Sequence, residues 1–230
     1  MAAPGVDSPR LQAERARLYR AEPDGRVRAL VLALARPADW AVLGRMWQGV
    51  QAELGWPAPG IAVSGTDACQ LWFSLAEPVT PAEAHALLAH LRARYLADVP
   101  AHRVTLWPSA DGAQLAPTVP APHPERDGGE VWSAYVAPDL APVFAETPWL
   151  DIPPRAEGQA ELLSRLTPIS AAEYQAARPV AAPAPAAGPT LSGEAPVFDD
   201  PRAFLRHVMN DAGVDMALRI EAARALLAGG

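Results

Sequence analysis

The chain contains no lysine: all 19 of its Lys-plus-Arg positions are arginine. That absence excludes Schiff-base and lysine-nucleophile chemistry, and it excludes the phosphate-binding Gly-Lys-Ser/Thr loop. Cysteine is nearly absent too. With Cys69 alone, neither an internal disulfide nor a cysteine zinc cage can form. Long apolar runs are missing as well. The longest, Ala29 to Ala35, falls far short of the roughly 20 residues that cross a bilayer, and the N-terminal MAAPGVDSPR lacks the basic-then-apolar pattern of a signal peptide. A soluble, cytoplasmic protein with no membrane partner is expected. Net positive charge is also lacking. A formal charge of −7 opposes loose binding to nucleic acid, whose non-specific affinity comes from neutralising phosphates, so a nucleic-acid contact would need a local arginine patch.

What the chain does have is enough apolar material for a sizeable core: 230 residues, 50% of them hydrophobic. Residues 1–25 read as an N-terminal helical segment, LQAERARLYRAE, whose Arg15, Arg17 and Arg20 form a solvated face. Arg26 to Ala35, nearly all apolar, reads as a buried strand, with Pro37 opening the helix that follows. On that helix Trp40, Leu43, Trp47, Val50 and Leu54 recur every three or four positions and share a face, and Gly55 ends it. Ile61 to Ser64 is a short strand. Gly65, Thr66 and Asp67 then supply turn chemistry before Cys69 to Leu75 returns, making a hairpin.

Thr80, Pro81 and Glu83 spell a capping box, and the helix beyond it buries Ala84, Leu87, Leu88, Leu91 and Tyr95. His102 to Trp107 is a fourth strand, stopped by Pro108. Val131 to Val136 is an extra strand, and Glu157 to Leu166 and Ser170 to Ala177 are closing helices. Between them Phe144, Trp149, Leu150 and Ile152 are expected to pack on the domain.

The order strand, helix, strand, strand, helix, strand predicts an α+β fold with a ferredoxin- or RRM-like βαββαβ core over residues 26–177. Residues 178–196, rich in Pro and Ala, read as a linker, and residues 197–230 as a helical hairpin. In that hairpin Asp200 caps a helix opening at Pro201. Phe204, Val208 and Met209 on the first helix, with Leu218 and Leu226 on the second, are the candidate partner-binding residues.

In the second hairpin strand, Leu71, Phe73 and Leu75 should lie under the helices, while Gln70, Trp72 and Ser74 face the opposite side. Trp107 and Thr105 can share that side with Trp72. Left open, it would be a platform on which bases stack, with Arg103 near for a phosphate. Covered by the segment around Trp149, it would be core.

Sharper chemistry finds little footing. Cys69 would need His102 or His90 as a base to act as a nucleophile. His85 and His90 lie about 140° apart around a helix and do not converge on a metal. Ser64 lacks the Gly-x-Ser-x-Gly setting of a hydrolase nucleophile. His102, His123 and His207 are isolated, and Arg92 and Arg94 read as a solvated edge.

At the hairpin, Ser64-Gly65 followed by QLWFSLAEPV resembles the core of the archaeo-eukaryotic primase superfamily, over about residues 26–110. The resemblance implies nucleotide or nucleic-acid contacts at Ser64, Gly65 and Gln70, the last standing where the family has a phosphate-binding histidine. It also implies a metal pair held by acids at the end of the first strand. Here that strand ends Leu32, Ala33, Leu34, Ala35, which offer no anionic oxygen to a divalent ion. A catalytically inactive relative with no cofactor and no metal site is therefore expected, binding nucleic acid or a replication partner. An active nucleotidyl transferase using Mg or Mn would need displaced acids such as Asp39 and Asp111. The C-terminal segment separately resembles helical segments of phage terminase small-subunit-like proteins, which implies a mobile-element setting and contact with a replication or phage protein. The alternative from another class is a protein-interaction or structural accessory of phage type, without nucleic-acid binding.

Overall fold

The structure, a computed structural model, describes residues 7–124, 130–178, 200–210, 219–220, 223–224 and 226. The chain divides into two compact units, residues 1–179 and 180–230.

The first unit is mixed α+β around a five-stranded antiparallel sheet. In chain order its elements are α1 (Pro9–Tyr19), β1 (Val27–Ala35), α2 (Trp40–Leu54), β2 (Gly60–Val63), β3 (Ala68–Val79), α3 (Pro81–Tyr95), β4 (Val104–Trp107), β5 (Pro122–Pro124), β6 (Glu130–Trp132), β7 (Ala134–Val136), α4 (Ala156–Ser164) and α5 (Ala171–Ala177). The strand order is β4-β1-β3-β2-β7, and β5 with β6 makes a separate ribbon.

Local chemistry sets the helix ends. Asp39 caps α2 by accepting from Val42 N at 3.1 Å, and Gly55 closes it with φ of 66°. Thr80 with Glu83, and Ser170 with Glu173, form reciprocal capping boxes on α3 and α5. These same hydrogen bonds hold both Glu carboxyls below the usual carboxylate range.

The sheet has two apolar faces because its strands alternate. Leu30, Leu32 and Leu34 of β1 and Leu71, Phe73 and Leu75 of β3 pack beneath Leu43, Met46 and Val50 of α2 and Leu87, Leu88 and Leu91 of α3. Val31, Ala62, Trp72 and Tyr135 point the other way, as the two-residue period requires.

That second face is not open. Leu11 and Leu18 of α1 and Ala156, Ala160 and Leu163 of α4 close over it, all buried. The cover is therefore two helices rather than the segment around Trp149. Arg17 of α1 ties them together by donating to the carbonyls of Leu163 and Leu166 at 2.9 and 3.1 Å, capping the C-terminal end of α4.

Other expectations change in detail. The expected strand over 131–136 is broken at Ser133, because Ser133 turns both its amide and its hydroxyl to Ala121. β6 therefore pairs with β5, while β7 pairs with β2. The fourth strand begins two residues later than expected, after a 3-10 turn at Ala101–Arg103. Phe144, Trp149 and Leu150 are partly buried, but Ile152 is 71% exposed. β7 lies at an edge of the sheet, and Gln159 of α4 caps that edge. Its buried amide accepts from Tyr135 N at 2.7 Å and donates to Tyr135 O at 3.0 Å, standing in for a neighbouring strand.

In the second unit, α6 spans Pro201–Asn210, and Asp200 Oδ1 accepts from Arg202 N at 3.0 Å. Arg219 donates to the Met209 carbonyl at 3.0 Å. Val208, Met209 and Leu226 are partly buried, Phe204 belongs to α6, and Leu218 lies outside the described residues. The linker expected at 178–196 lies outside them too, apart from Arg178. No helix among the described residues is long and apolar enough to cross a membrane.

Candidate functional site at the hairpin tip

The turn between β2 and β3 is built by its own side chains. Ser64 Oγ accepts from Thr66 N at 3.1 Å and from Ala68 N at 2.9 Å, and Ser64 N donates to Ala68 O at 2.9 Å. Gly65 has φ of 80°, in the left-handed region that glycine enters without steric cost. Its amide donates to Pro148 O at 3.0 Å, which stitches the tip to the loop before Trp149. A Cβ at Gly65 would overlap the His123 ring and come within 2.8 Å of Ser133 N. Ser64 and Gly65 thus serve the turn itself.

The turn opens on a cavity of about 850 Å³. Thr66 and Asp67 form one side, Arg36 and Pro37 from the end of β1 a second, and Glu146, Pro148 and Trp149 a third. Arg36, Thr66, Asp67 and Glu146 are exposed, and Trp149 is partly buried. Arg36 has φ of 52°, uncommon for a residue with a Cβ. One of its guanidinium nitrogens donates to the His102 carbonyl at 3.2 Å. The cleft therefore offers one cation, one indole, one hydroxyl and two carboxylates, on apolar walls supplied largely by prolines and alanines.

The other residues singled out from the sequence do not converge here. Gln70 and Trp72 are both 3% exposed. Gln70 Oε1 accepts from Trp72 Nε1 at 2.9 Å, so the pair satisfies itself inside the core. Trp72 packs edge-on against Tyr19 at 5.0 Å and Tyr135 at 5.5 Å. Trp107 is partly buried against the same cluster. Of the two alternatives for Trp72 and Trp107, an open platform or a covered core, the structure has the covered one, with α1 and α4 as the cover, and Trp72 has no free ring face for a base. Arg103 is corrected likewise. Its guanidinium donates to Ala35 O at 3.1 Å and Pro37 O at 2.8 Å, holding the turn after β1 rather than facing the tryptophans.

The end of β1 carries Leu32 and Leu34 into the core and presents no carboxylate. Asp39 accepts from the α2 N-terminus. Asp111 accepts from Ser109 Oγ at 2.5 Å and Ala113 N at 3.0 Å, hydrogen bonds that hold its carboxyl below the usual range. Among the described residues no three or more His, Cys, Asp or Glu side chains come together in a way that could hold a metal ion. Cys69 is 1% exposed, and burial, followed by the charge of Asp39, pushes its thiol up to about 11. A thiol held protonated at neutral pH is a poor nucleophile. His85 Nδ1 lies 3.0 Å from Pro108 O, a capping contact.

Arg36, Glu146 and Trp149 were not foreseen as site residues. They come from distant stretches of chain; the hairpin turn itself, with Ser64 and Gly65 named as contacts and Asp67 marked as a turn former, signalled the place. Comparison of the chain with protein families, with curated proteins and with solved structures finds no match in any of the three.

Proposed function

We propose that the chain is a catalytically inactive, primase-like protein on a ferredoxin- or RRM-like core, and that it contacts nucleic acid or a replication partner through the hairpin-tip cleft. The observation that carries this reading is the cleft itself: an exposed arginine, an indole and a hydroxyl, with two carboxylates, around the Ser64–Asp67 turn, beside a first strand that ends without acids. A guanidinium suits a phosphate, and an indole suits a base. The strand order β4-β1-β3-β2, with α2 and α3 on one face, supports the ferredoxin-type core. The Ser64-Gly65 turn supports the primase likeness. The lack of carboxylates at β1 speaks against Mg- or Mn-dependent nucleotidyl transfer through Asp39 and Asp111.

The test is an anisotropy titration of labelled single-stranded DNA and RNA across salt concentration. Binding that weakens with salt, and weakens further in Arg36→Ala, is expected. No binding at low salt overturns the nucleic-acid reading. Primer extension with manganese should give no incorporation above a blank.

A second reading, a protein-interaction accessory of phage type, is favoured by the covered second sheet face together with the charge of −7. In either reading the amphipathic α6 recruits a replication or phage protein. Truncation after Arg178 should abolish capture of that partner.

A further inference from the structure

A separate, smaller cavity, of about 140 Å³, lies where the end of β3 and the start of α3 meet α5. Glu77 and Pro78 of β3, Glu83 of α3, Tyr174 of α5 and Arg26 border it. The space matches about five waters at ~30 Å³ each, the size of a molecule of about five to seven heavy atoms.

Tyr174 supplies the polar atom that lacks a partner. The residue is 5% exposed and packs in the main core cluster, yet its hydroxyl makes no hydrogen bond among the described residues. Buried phenols ordinarily find one. Arg178 lies over the Tyr174 ring at 5.7 Å and pairs with Glu83 at 3.2 Å, which closes that face of the ring. Burial pushes the phenol's ionisation upward, the charge of Glu83 adds to this, and that of Arg178 opposes it. The hydroxyl therefore keeps its proton and can donate as well as accept.

Two opposite charges border the same cavity without pairing with each other. Arg26 is exposed and uses Nη2 on the Pro78 carbonyl, which leaves Nε and Nη1 as donors. Glu77 is exposed and makes neither a hydrogen bond nor an ion pair among the described residues, so both of its oxygens are available. Glu83, by contrast, is already engaged: Thr80 holds one oxygen and Arg178 the other. A cation, an anion and an unsatisfied phenol around so small a space suit a molecule that carries both charges itself.

We propose that this cavity binds a small α-amino acid, whose carboxylate accepts from Arg26 and the Tyr174 hydroxyl while its ammonium donates to Glu77. Glycine, alanine and serine fit the volume, and leucine exceeds it. The site goes beyond the hairpin-tip reading and is separate from that cleft. Glu77 lies nine residues beyond Ala68, the first residue of β3, about 30 Å along a strand.

The full chain is titrated calorimetrically with glycine, L-alanine and L-serine. Propionate and ethylamine, each alanine without one of its two charges, are the counterparts, and L-leucine is the oversized member. Saturable binding of at least one of the three amino acids is expected, with propionate, ethylamine and leucine at least roughly 10-fold weaker. Glu77→Gln, a change at the exposed rim, and Tyr174→Phe, which keeps the ring, should each weaken that amino acid roughly 10-fold, as loss of a hydrogen bond to a charged group does. Tyr174→Phe should do so without lowering the urea midpoint of the unliganded chain, because the hydroxyl it removes has no partner there. Arg36→Ala, in the hairpin-tip cleft, should leave the affinity unchanged. Binding of none of the three amino acids, equal binding of propionate or ethylamine, or unaltered affinity in Glu77→Gln or Tyr174→Phe overturns the proposal.

Discussion

Gln70 accepts the indole N–H of Trp72 at 2.9 Å, two residues along the same strand and on the same buried face. The bond gives a polar side chain a structural task at the position where the primase likeness would place a phosphate ligand. Replacing Gln70 with Leu leaves the Trp72 N–H buried without a partner. A loss of about 1–3 kcal/mol is expected, read as a lower urea midpoint at unchanged slope. Gln70→His should confer no nucleotide incorporation with manganese, because the new ring would sit beneath α1 and α4.

Gln159 supports the edge strand β7 with two hydrogen bonds to one residue, Tyr135. Gln159→Ala orphans a buried N–H and a buried C=O together. The expected loss is about 2–4 kcal/mol in chemical denaturation. The uncovered edge should also make the variant self-associate, visible as concentration-dependent elution in size-exclusion chromatography.

What the sequence disclosed and what it hid divide along physical lines. The capping boxes at Thr80 and Ser170 were legible because each is a contact between residues three apart. The sorting of Leu71, Phe73 and Leu75 from Gln70 and Trp72 was legible because side chains in a strand alternate. The cover over Trp72 was not. α1 shows only Leu11 and Leu18 as large aliphatic anchors, two turns apart among charges, and nothing local says that they meet α4. The cleft was hidden for the same reason, since Arg36 and Trp149 meet only through the tertiary fold. Arg103 misled because a guanidinium beside tryptophans reads as a phosphate ligand, whereas the fold turns it back onto main-chain carbonyls.

Arg17 binds the last turn of α4 through two carbonyls and in this way locks the helical cover over the second sheet face. Arg17→Ala should cost about 1–2 kcal/mol. Amide exchange should rise first in α1 and α4 while β1 and β3 stay protected, since the loss falls on the cover and not on the strands.

Cys69 gives a pH signature. Its thiol ionises near 11 when folded, against 9.0 for the free group. The unfolded chain therefore gives up this proton first as pH rises. The thiol's stabilising contribution is whole below pH 9 and is lost between pH 9 and 11. Over that window the loss should reach about 2–3 kcal/mol. Cys69→Ala should show a shallower decline across the same interval, and a matching decline in wild type and variant would rule out the thiol as its source.

Gly65 combines two requirements, a left-handed backbone and an absent Cβ. Gly65→Ala places a Cβ against the His123 ring and 2.8 Å from Ser133 N, while φ remains near 80°. The backbone term costs about 1–3 kcal/mol, and the overlap adds to it. The two contributions are separable. His123→Ala removes the ring but leaves the Ser133 amide in place, so the double variant should recover only part of the stability lost in Gly65→Ala. Full recovery would assign the whole effect to the ring, and no recovery would assign it to the backbone and Ser133. Because Gly65 N also holds the loop before Trp149 through Pro148 O, Gly65→Ala should weaken binding at the hairpin tip.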